Sequence, residues 1–369
     1  MNGRAGRVSS PRVRPVVSSR LIARKTEPFM TTSAPAAAPP RAKPAPKNRI
    51  RRAHRGEGRL AALLLSPTLL VLALVIGYPL VSALRGSLYQ RGEGLDANGF
   101  VISGEHFVGL RNYTDAFTGA NGSRFWNAFG NTTFFTVTSV VLETVIGLAM
   151  ALIMHHALRG RALLRASILV PWAVPTAVSG LLWRWVFDAN GIANNLLGQQ
   201  ILWSADGWPA KCAVVIADTW KTAPFIGLLT LAGLQLIPAE LHEAARVDGA
   251  NAWIRFRKIT LPLIKPALLV AVLFRLLDVL RMFDLPYLLV GNQKYSVQTL
   301  SVLAFNEANN LHYGPAAAYA TLLFVYVVIV AYAFVKILGA DLLAGARTRT
   351  PARRRRSATR PLAGRGTPA

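Results

Sequence analysis

The sequence has few cysteines and few charged residues for its length. Its 369 residues include one cysteine, Cys212, which excludes a disulfide framework and a cysteine-based metal site. Charged residues make up 16%, against roughly 25% in soluble domains, whereas hydrophobic residues reach 52%. Among the charged residues, acidic ones are the fewer, because the chain has 17 Asp and Glu but 42 Lys and Arg. The formal net charge is +25. This balance indicates either a nucleic-acid-binding protein or a membrane protein with basic flanks.

The distribution of the charges decides between these two classes. Segment 1–59 contains 15 Lys and Arg but only two acidic residues, and segment 340–369 contains 8 Arg but only one acidic residue. Segment 1–59 is also rich in Ala, Pro and Arg and lacks hydrophobic periodicity. We therefore predict two disordered basic tails in the cytoplasm, which face anionic lipid and do not bind nucleic acid.

The middle of the chain, 60–339, contains six apolar stretches, each long enough to cross a hydrocarbon core of roughly 30 Å. We therefore predict an all-α integral membrane protein with six transmembrane helices. If the N-terminus is cytoplasmic, the inner segments hold 31 Lys and Arg and the outer segments hold 5, which favours both termini in the cytoplasm of a bacterial inner membrane. The six stretches are Leu60–Leu84, about 129–154, about 166–187, about 210–237, Ala267–Val290 and about 315–338.

The connection 238–266 between the fourth and fifth stretches has the composition of a short helix–turn–helix. Pro238 can occupy the first turn of a helix, and Glu243 then lies near its positive N-terminal end. Gly249 can end that helix in a left-handed conformation. We predict a second helix that starts at about Ala252 and ends before Pro262. The alternative is an amphipathic hairpin that lies in the membrane interface without a partner.

The same connection resembles the EAA signature of ATP-binding-cassette importer permeases. Segments 107–113, 171–175 and 274–284 are similar to the maltose-type carbohydrate branch of that family, and the resemblance covers about 60–340. In this family the EAA loop is the coupling helix that contacts the ATP-hydrolysing subunit. The residues that the resemblance assigns to ATPase coupling are Glu243, Ala244, Ala245, Gly249, Ile259, Leu261 and Pro262.

The resemblance also implies an assembly around this chain. The sequence contains no phosphate-binding loop motif, so the chain is expected to be a permease and not an enzyme, with no cofactor of its own. A partner ATPase dimer would use ATP and magnesium. The other implied partners are a second permease subunit, an extracytoplasmic sugar-binding lipoprotein and membrane lipid. The implied cargo is trehalose or a related di- or oligosaccharide, and the alternative within this class is glycerol phosphate or another solute.

Ionisable residues inside the apolar stretches are candidates for the solute path. Each costs roughly 2.5–3.5 kcal/mol at a helix centre, so such residues usually face protein or a water-filled path. Asp218 and Lys221 are three residues apart and could pair, and a stripe of alternating charge runs from Arg275 to Asp284. Two alternatives are structural salt bridges, which we also favour for Glu143, and the relay of an ion- or proton-coupled secondary carrier. The path candidates are Asp218, Trp220, Lys221, Asp278, Arg281, Phe283, Asp284 and Tyr287.

Overall fold

The computed structural model describes residues 47–95, 101–156 and 160–338, and these residues are mostly helical. They fall into two compact units, one that ends at Pro67 and one that begins at Thr68. Most of the two predicted basic tails lies outside the described residues. Helix α1 begins at Lys47, within the segment 1–59, and the disorder of this tail stays a prediction.

Helices make up most of the described residues, and two strands pair as a hairpin between the second and third helices. The helices are α1 Lys47–Leu72, α2 Tyr78–Gly86, α3 Arg111–Phe117, α4 Gly119–His155, α5 Arg161–Ala173, α6 Thr176–Val186, α7 Ile192–Leu197, α8 Trp208–Gln235, α9 Ala239–Val247, α10 Ala252–Arg255, α11 Leu261–Val279, α12 Leu300–Asn309 and α13 Tyr313–Leu338. Single π-helical turns cover Ala73–Gly77, Phe256–Thr260 and Pro286–Val290. The antiparallel strands are β1 Tyr89–Leu95 and β2 Val101–Phe107, with Tyr89 opposite Phe107. The all-α prediction did not include this hairpin.

Five of the predicted membrane crossings are continuous helical segments of sufficient length and hydropathy, and the remaining one is broken. The continuous segments are Leu60–Gly86, Asn121–His155, Trp208–Gln235, Ala252–Val279 and Tyr313–Ile337.

The third predicted crossing consists of α5 and α6, which meet at an angle of 94°. The break lies at Val174 and Pro175, both of which have extended ψ angles. Proline lacks a backbone N–H and disfavours a helical conformation for the residue before it, so the ladder of hydrogen bonds stops here. The apolar stretch at about 166–187 is therefore a bent pair of helices, with the break at one of the prolines that this stretch contains.

The fifth crossing lies earlier in the chain than the apolar stretch predicted. One continuous helical rod runs through α10, a π-helical turn and α11 from Ala252 to Val279, so neither the predicted stop before Pro262 nor the predicted span Ala267–Val290 is correct. The π-helical turn explains how Pro262 is accommodated. The Leu261 amide donates to the Phe256 carbonyl five residues back, and the wider turn tolerates the missing donor of Pro262.

The centre of the second unit is the contact between α4 and α8. A Cβ atom added to Gly147 would lie 2.8 Å from the Ala223 carbonyl oxygen, and one added to Gly227 would lie 3.1 Å from the Gly147 carbonyl oxygen. These two glycines therefore allow close approach of the helix backbones, as small residues do in other membrane helix pairs. Helix α11 packs beside both, so polar side chains from α4, α8 and α11 can meet in the interior.

Candidate functional site

The first candidate site is the helix α9 with the turn that follows it. Helix α9 begins after Pro238 and ends before Gly249, whose φ angle is +78°. This left-handed conformation is the one that the sequence predicted for Gly249. The Gly249 amide donates to the Arg246 carbonyl at 3.0 Å and the Ala250 amide to the Ala245 carbonyl at 2.9 Å, so the last carbonyls of α9 are satisfied by the turn itself.

The turn is also fixed from its other side, by residues at the start of α10. The Asn251 side chain caps α10 by accepting a hydrogen bond from the Ile254 amide at 2.8 Å. The Arg255 guanidinium donates to the Ala250 carbonyl at 2.8 Å. Because backbone and side-chain bonds both hold this turn, α9 and α10 form one braced unit.

The seven coupling candidates do not share one surface. Glu243, Ala244 and Gly249 are exposed on α9 and its turn, whereas Ala245 is buried. Ile259 and Leu261 are half-buried in the helical rod, and Pro262 is exposed on it. A groove of about 940 Å³ lies between the ends of α4 and α8 and the helices α9 and α10, and Glu243, Arg246 and Trp253 line it. The described geometry therefore divides the seven residues between α9 with its turn and the helical rod.

The second candidate site is a buried ion cluster around Arg275 of α11. Its guanidinium contacts Glu143 of α4 through Nε–Oε2 at 2.5 Å and Nη2–Oε1 at 3.0 Å. It also contacts Asp218 of α8 and Asp278 of α11, each at 2.5 Å. The Arg275 side chain is 4% exposed and that of Glu143 is 0% exposed. One cation therefore joins three membrane helices, which is the structural pairing that the sequence offered as one alternative.

The three-residue spacing had indicated that Lys221 could pair with Asp218, but the structure gives each of them another partner. The Nζ of Lys221 donates to the Val174 carbonyl at 2.9 Å, and Asp218 contacts Arg275 instead. Val174 lies at the break between α5 and α6, where carbonyl groups lose their helical partners. Lys221 thus supplies the donor that a broken membrane helix needs.

A cavity of about 310 Å³ opens beside the ion cluster. Its ionisable lining residues are three cations and three carboxylates, so they balance in charge when all are ionised, and Glu143 lies beneath them. Trp172 and Thr176, from either side of the helix break, also line the cavity and were not predicted from the sequence. The break at Pro175 was the available signal for these two residues. The predicted path residues that line this cavity are Asp218, Lys221, Asp278, Arg281, Phe283 and Asp284.

The other two path candidates lie outside this lining. Tyr287 stacks on Phe283 with ring centroids 5.0 Å apart, so it contacts a residue of the cavity lining without being part of the lining. Trp220 packs edge-on against Trp183 at 5.6 Å. Arg281 lies in the turn after α11 has ended at Val279, and Asp284 begins the next helical turn, so one continuous helix carries only Arg275 and Asp278 of the predicted stripe.

The arrangement offers hydrogen-bond donors and acceptors of both charge signs next to aromatic faces. Such a lining can bind a neutral polyhydroxylated solute, because each hydroxyl group both donates and accepts. Within the described residues, no cluster of His, Cys, Asp and Glu has the arrangement of a metal site.

Comparison with known proteins relates these sites to transport. The family model for binding-protein-dependent transport system inner membrane components matches residues 143–343. The trehalose/maltose transport system permease protein MalF of Thermococcus litoralis is 40% identical over 287 residues, which are 76% of this chain and 94% of that protein. The trehalose transport system permease protein SugA of Mycobacterium tuberculosis is 39% identical over 286 residues, which are 77% of this chain and 90% of that protein.

A solved structure shares the fold. It is a bacterial ABC transporter involved in the import of the acidic polysaccharide alginate, with a TM-score of 0.65 and 18% identity over 79% of this chain and 99% of that chain. A second structure of an alginate ABC transporter, in complex with an alginate pentasaccharide-bound periplasmic protein, has a TM-score of 0.64 and 19% identity over 78% of this chain and 96% of that chain. The alternative of an ion- or proton-coupled carrier finds no support in these comparisons.

Proposed function

Because the chain belongs to the family of binding-protein-dependent transport system inner membrane components, we propose that it imports trehalose or a related di- or oligosaccharide as the permease subunit of an ATP-binding-cassette transporter. The two relatives named for trehalose transport match about three quarters of this chain and nine tenths of their own length, which supports this cargo class. The chain would form half of the translocation path in the inner membrane of a bacterium, with both termini in the cytoplasm.

We propose that α9 couples the path to ATP hydrolysis. The observation that carries this proposal is the continuous rod from Ala252 to Val279, which leads from the braced α9 turn to the ion cluster at Arg275. A partner that moves α9 would move the rod as one body, because the turn is held by Arg255 and Asn251. The motion would reach Glu143 and Asp218 through the bonds of Arg275. Exposed Glu243 and Ala244 would form the contact with the partner.

The energy source and the other subunits belong to this proposal. A dimer of ATPase subunits would use ATP and magnesium, and this chain would hold no cofactor. A second permease subunit would complete the path, and an extracytoplasmic binding lipoprotein would deliver the sugar. The alginate transporter that shares the fold was solved with a sugar-bound periplasmic protein, which supports the last of these partners.

The charge balance of the cavity supports a neutral cargo over glycerol phosphate. A phosphate group is best bound where cationic groups exceed carboxylates. In this cavity three carboxylates accompany three cations, and a fourth carboxylate, Glu143, already contacts Arg275. Phe283 and Trp172 supply aromatic surface beside these polar groups.

The test is uptake of labelled trehalose and maltose by cells that lack the gene, with and without the wild-type chain restored. We expect loss of trehalose uptake in the deletion strain and recovery with the wild-type chain. Unchanged uptake of both sugars would overturn the proposed cargo. Purification of the tagged chain then tests coupling independently, because an ATP-binding-cassette subunit should remain bound to it.

A further inference from the structure

A second cavity, of about 360 Å³, lies at the other end of α11 from α9. It is formed by the loop 291–299, by the C-terminal part of α12 and by the beginning of α4. Side-chain amides dominate its lining, and we refer to it as the amide pocket. The amides are those of Asn292, Gln293, Gln298, Asn306, Asn309 and Asn310.

Gln298 is the most informative residue of the amide pocket. It is 8% exposed, yet its side-chain amide makes no hydrogen bond with any described residue. Its backbone is held in place, since its carbonyl accepts from the Asn131 side chain at 3.1 Å. The next residue, Thr299, donates to the Met282 carbonyl at 2.8 Å. The oxygen and nitrogen of this amide remain accessible from the pocket, so they can accept from and donate to a polar ligand there.

The charge of the amide pocket indicates which ligand suits it. Arg124 is its single charged lining residue among those described, and it is paired with Glu307 at 2.7 Å. The Glu307 carboxylate also contacts His312 at 2.9 Å. Within the described lining, the pocket therefore offers neutral donors and acceptors and no free cation for an anionic group. Amide groups both donate and accept, as the hydroxyl groups of a sugar do.

Aromatic rings connect the amide pocket with the cavity at Arg275. Phe305 precedes Asn306 of the amide pocket, and its ring lies 4.9 Å from that of Phe283, which lines the other cavity. Tyr287 completes the group at 5.0 Å from Phe283 and 5.4 Å from Phe305. The apolar faces of a sugar ring can pack on such rings, so the group provides a surface along which a sugar could pass between the two cavities.

We propose that the amide pocket is a second sugar-binding subsite, which a neutral di- or oligosaccharide occupies before it enters the cavity at Arg275. The inference rests on the proposed function, because it assigns a sugar to the same path. It adds Gln298 and the surrounding amides to the residues that contact the cargo.

The experiment measures protection of an engineered cysteine in the amide pocket. In a Cys212→Ser background, Asn309→Cys places a thiol in the lining, and Asn190→Cys places one on an exposed loop away from the pocket. The complete transporter is purified in nanodiscs without its binding protein, and the rate of maleimide labelling is measured against trehalose and maltose concentration. We expect one of these sugars to slow labelling of Asn309→Cys several-fold and to leave Asn190→Cys unchanged.

A second substitution tests the role of Gln298. Gln298→Met keeps the approximate size of the side chain but removes both its donor and its acceptor, and we expect it to raise the sugar concentration needed for protection about tenfold. Equal protection with and without Gln298→Met would overturn the proposal. In a parallel sample the binding protein is added back without sugar, and protection that appears only there would also overturn the proposal, in favour of a protein-docking surface. If the wild-type chain imports trehalose while neither sugar protects Asn309→Cys, the subsite is wrong and the proposed function stands.

Discussion

The guanidinium of Arg275 donates twice to the carboxylate of Glu143, at 2.5 and 3.0 Å, although 132 residues separate them in the chain. Asp218 contacts the same guanidinium from a third helix. A buried ion pair adds little stability relative to apolar packing, but loss of one partner leaves an uncompensated charge in the interior. The ion cluster is therefore a point at which α4, α8 and α11 depend on one another.

We expect Arg275→Met to destabilise the protein by about 3–5 kcal/mol, because Glu143 and Asp218 would keep their buried carboxylates without a cation. Thermal unfolding of the purified chain in detergent measures this effect. Arg281→Met is the matched control, since the Arg281 side chain is exposed and contacts the Leu277 carbonyl. Equal shifts in unfolding temperature for the two variants would contradict the structural role of Arg275.

Gly249→Pro should abolish uptake while the chain remains in the membrane at normal abundance. Proline cannot adopt a φ angle of +78°, and it removes the amide that donates to the Arg246 carbonyl. We expect the ATPase to be lost from the purified complex. Gly198→Pro is the control, because Gly198 has a similar φ angle of +63° at the end of α7. It should retain the ATPase, and normal transport by Gly249→Pro would rule out coupling through this turn.

Lys221→Met should weaken the junction between α5 and α6, since the Val174 carbonyl would lose its donor. This bond is partly buried, and full burial of an unsatisfied carbonyl costs about 1–3 kcal/mol, so thermal unfolding should report a loss towards the lower end of this range. Lys211→Met on the same helix removes a cation that lies over the rings of Phe134 and Trp208, which is worth about 0.5–1 kcal/mol at an exposed site. A shift no larger for Lys221→Met than for Lys211→Met would argue against the assigned contact.

The link between Asp206 and Ser296 should depend on pH. Hydrogen bonds from the side chain and the backbone amide of Ser296 lower the pKa of Asp206, and the amide lies 2.7 Å from Oδ1. A carboxyl group with a lowered pKa in the folded protein stabilises it above the ordinary pKa of about 3.9, and this contribution is lost as the pH falls through the lower value. Hydrogen exchange at the Ser296 amide should therefore remain slow near neutral pH.

The same measurement in acid completes this prediction. After correction for intrinsic exchange rates, protection of the Ser296 amide should fall only at a pH below the ordinary aspartate pKa of about 3.9, because the pKa of Asp206 is lowered. Asp206→Asn carries no titrating carboxylate, so its protection should not change over this range. A loss of protection that begins near neutral pH in the wild-type chain would show that another group controls this link.

Local signals predicted the features that depend on neighbouring residues. Runs of apolar residues indicated the membrane crossings, because the length of a run must match the hydrocarbon core. Gly249 indicated the left-handed turn after α9, since glycine meets no steric penalty there. Six of the eight predicted path residues line one cavity, because charged side chains within apolar runs must avoid lipid. For the coupling residues, the assigned role stays a prediction.

The sequence by itself thus determined the class of the protein, the approximate spans and the position of the α9 turn, all of which follow from spacing along the chain. Tertiary structure alone decided the 94° bend at Pro175, the course of the rod from Ala252 to Val279 and the partners of Arg275 and Lys221. The physical reason is that composition records how apolar a segment is, and not its direction or its neighbours. Spacing placed Arg275 and Asp278 on one stripe of alternating charge, whereas the bonds that join three helices depend on packing between distant segments.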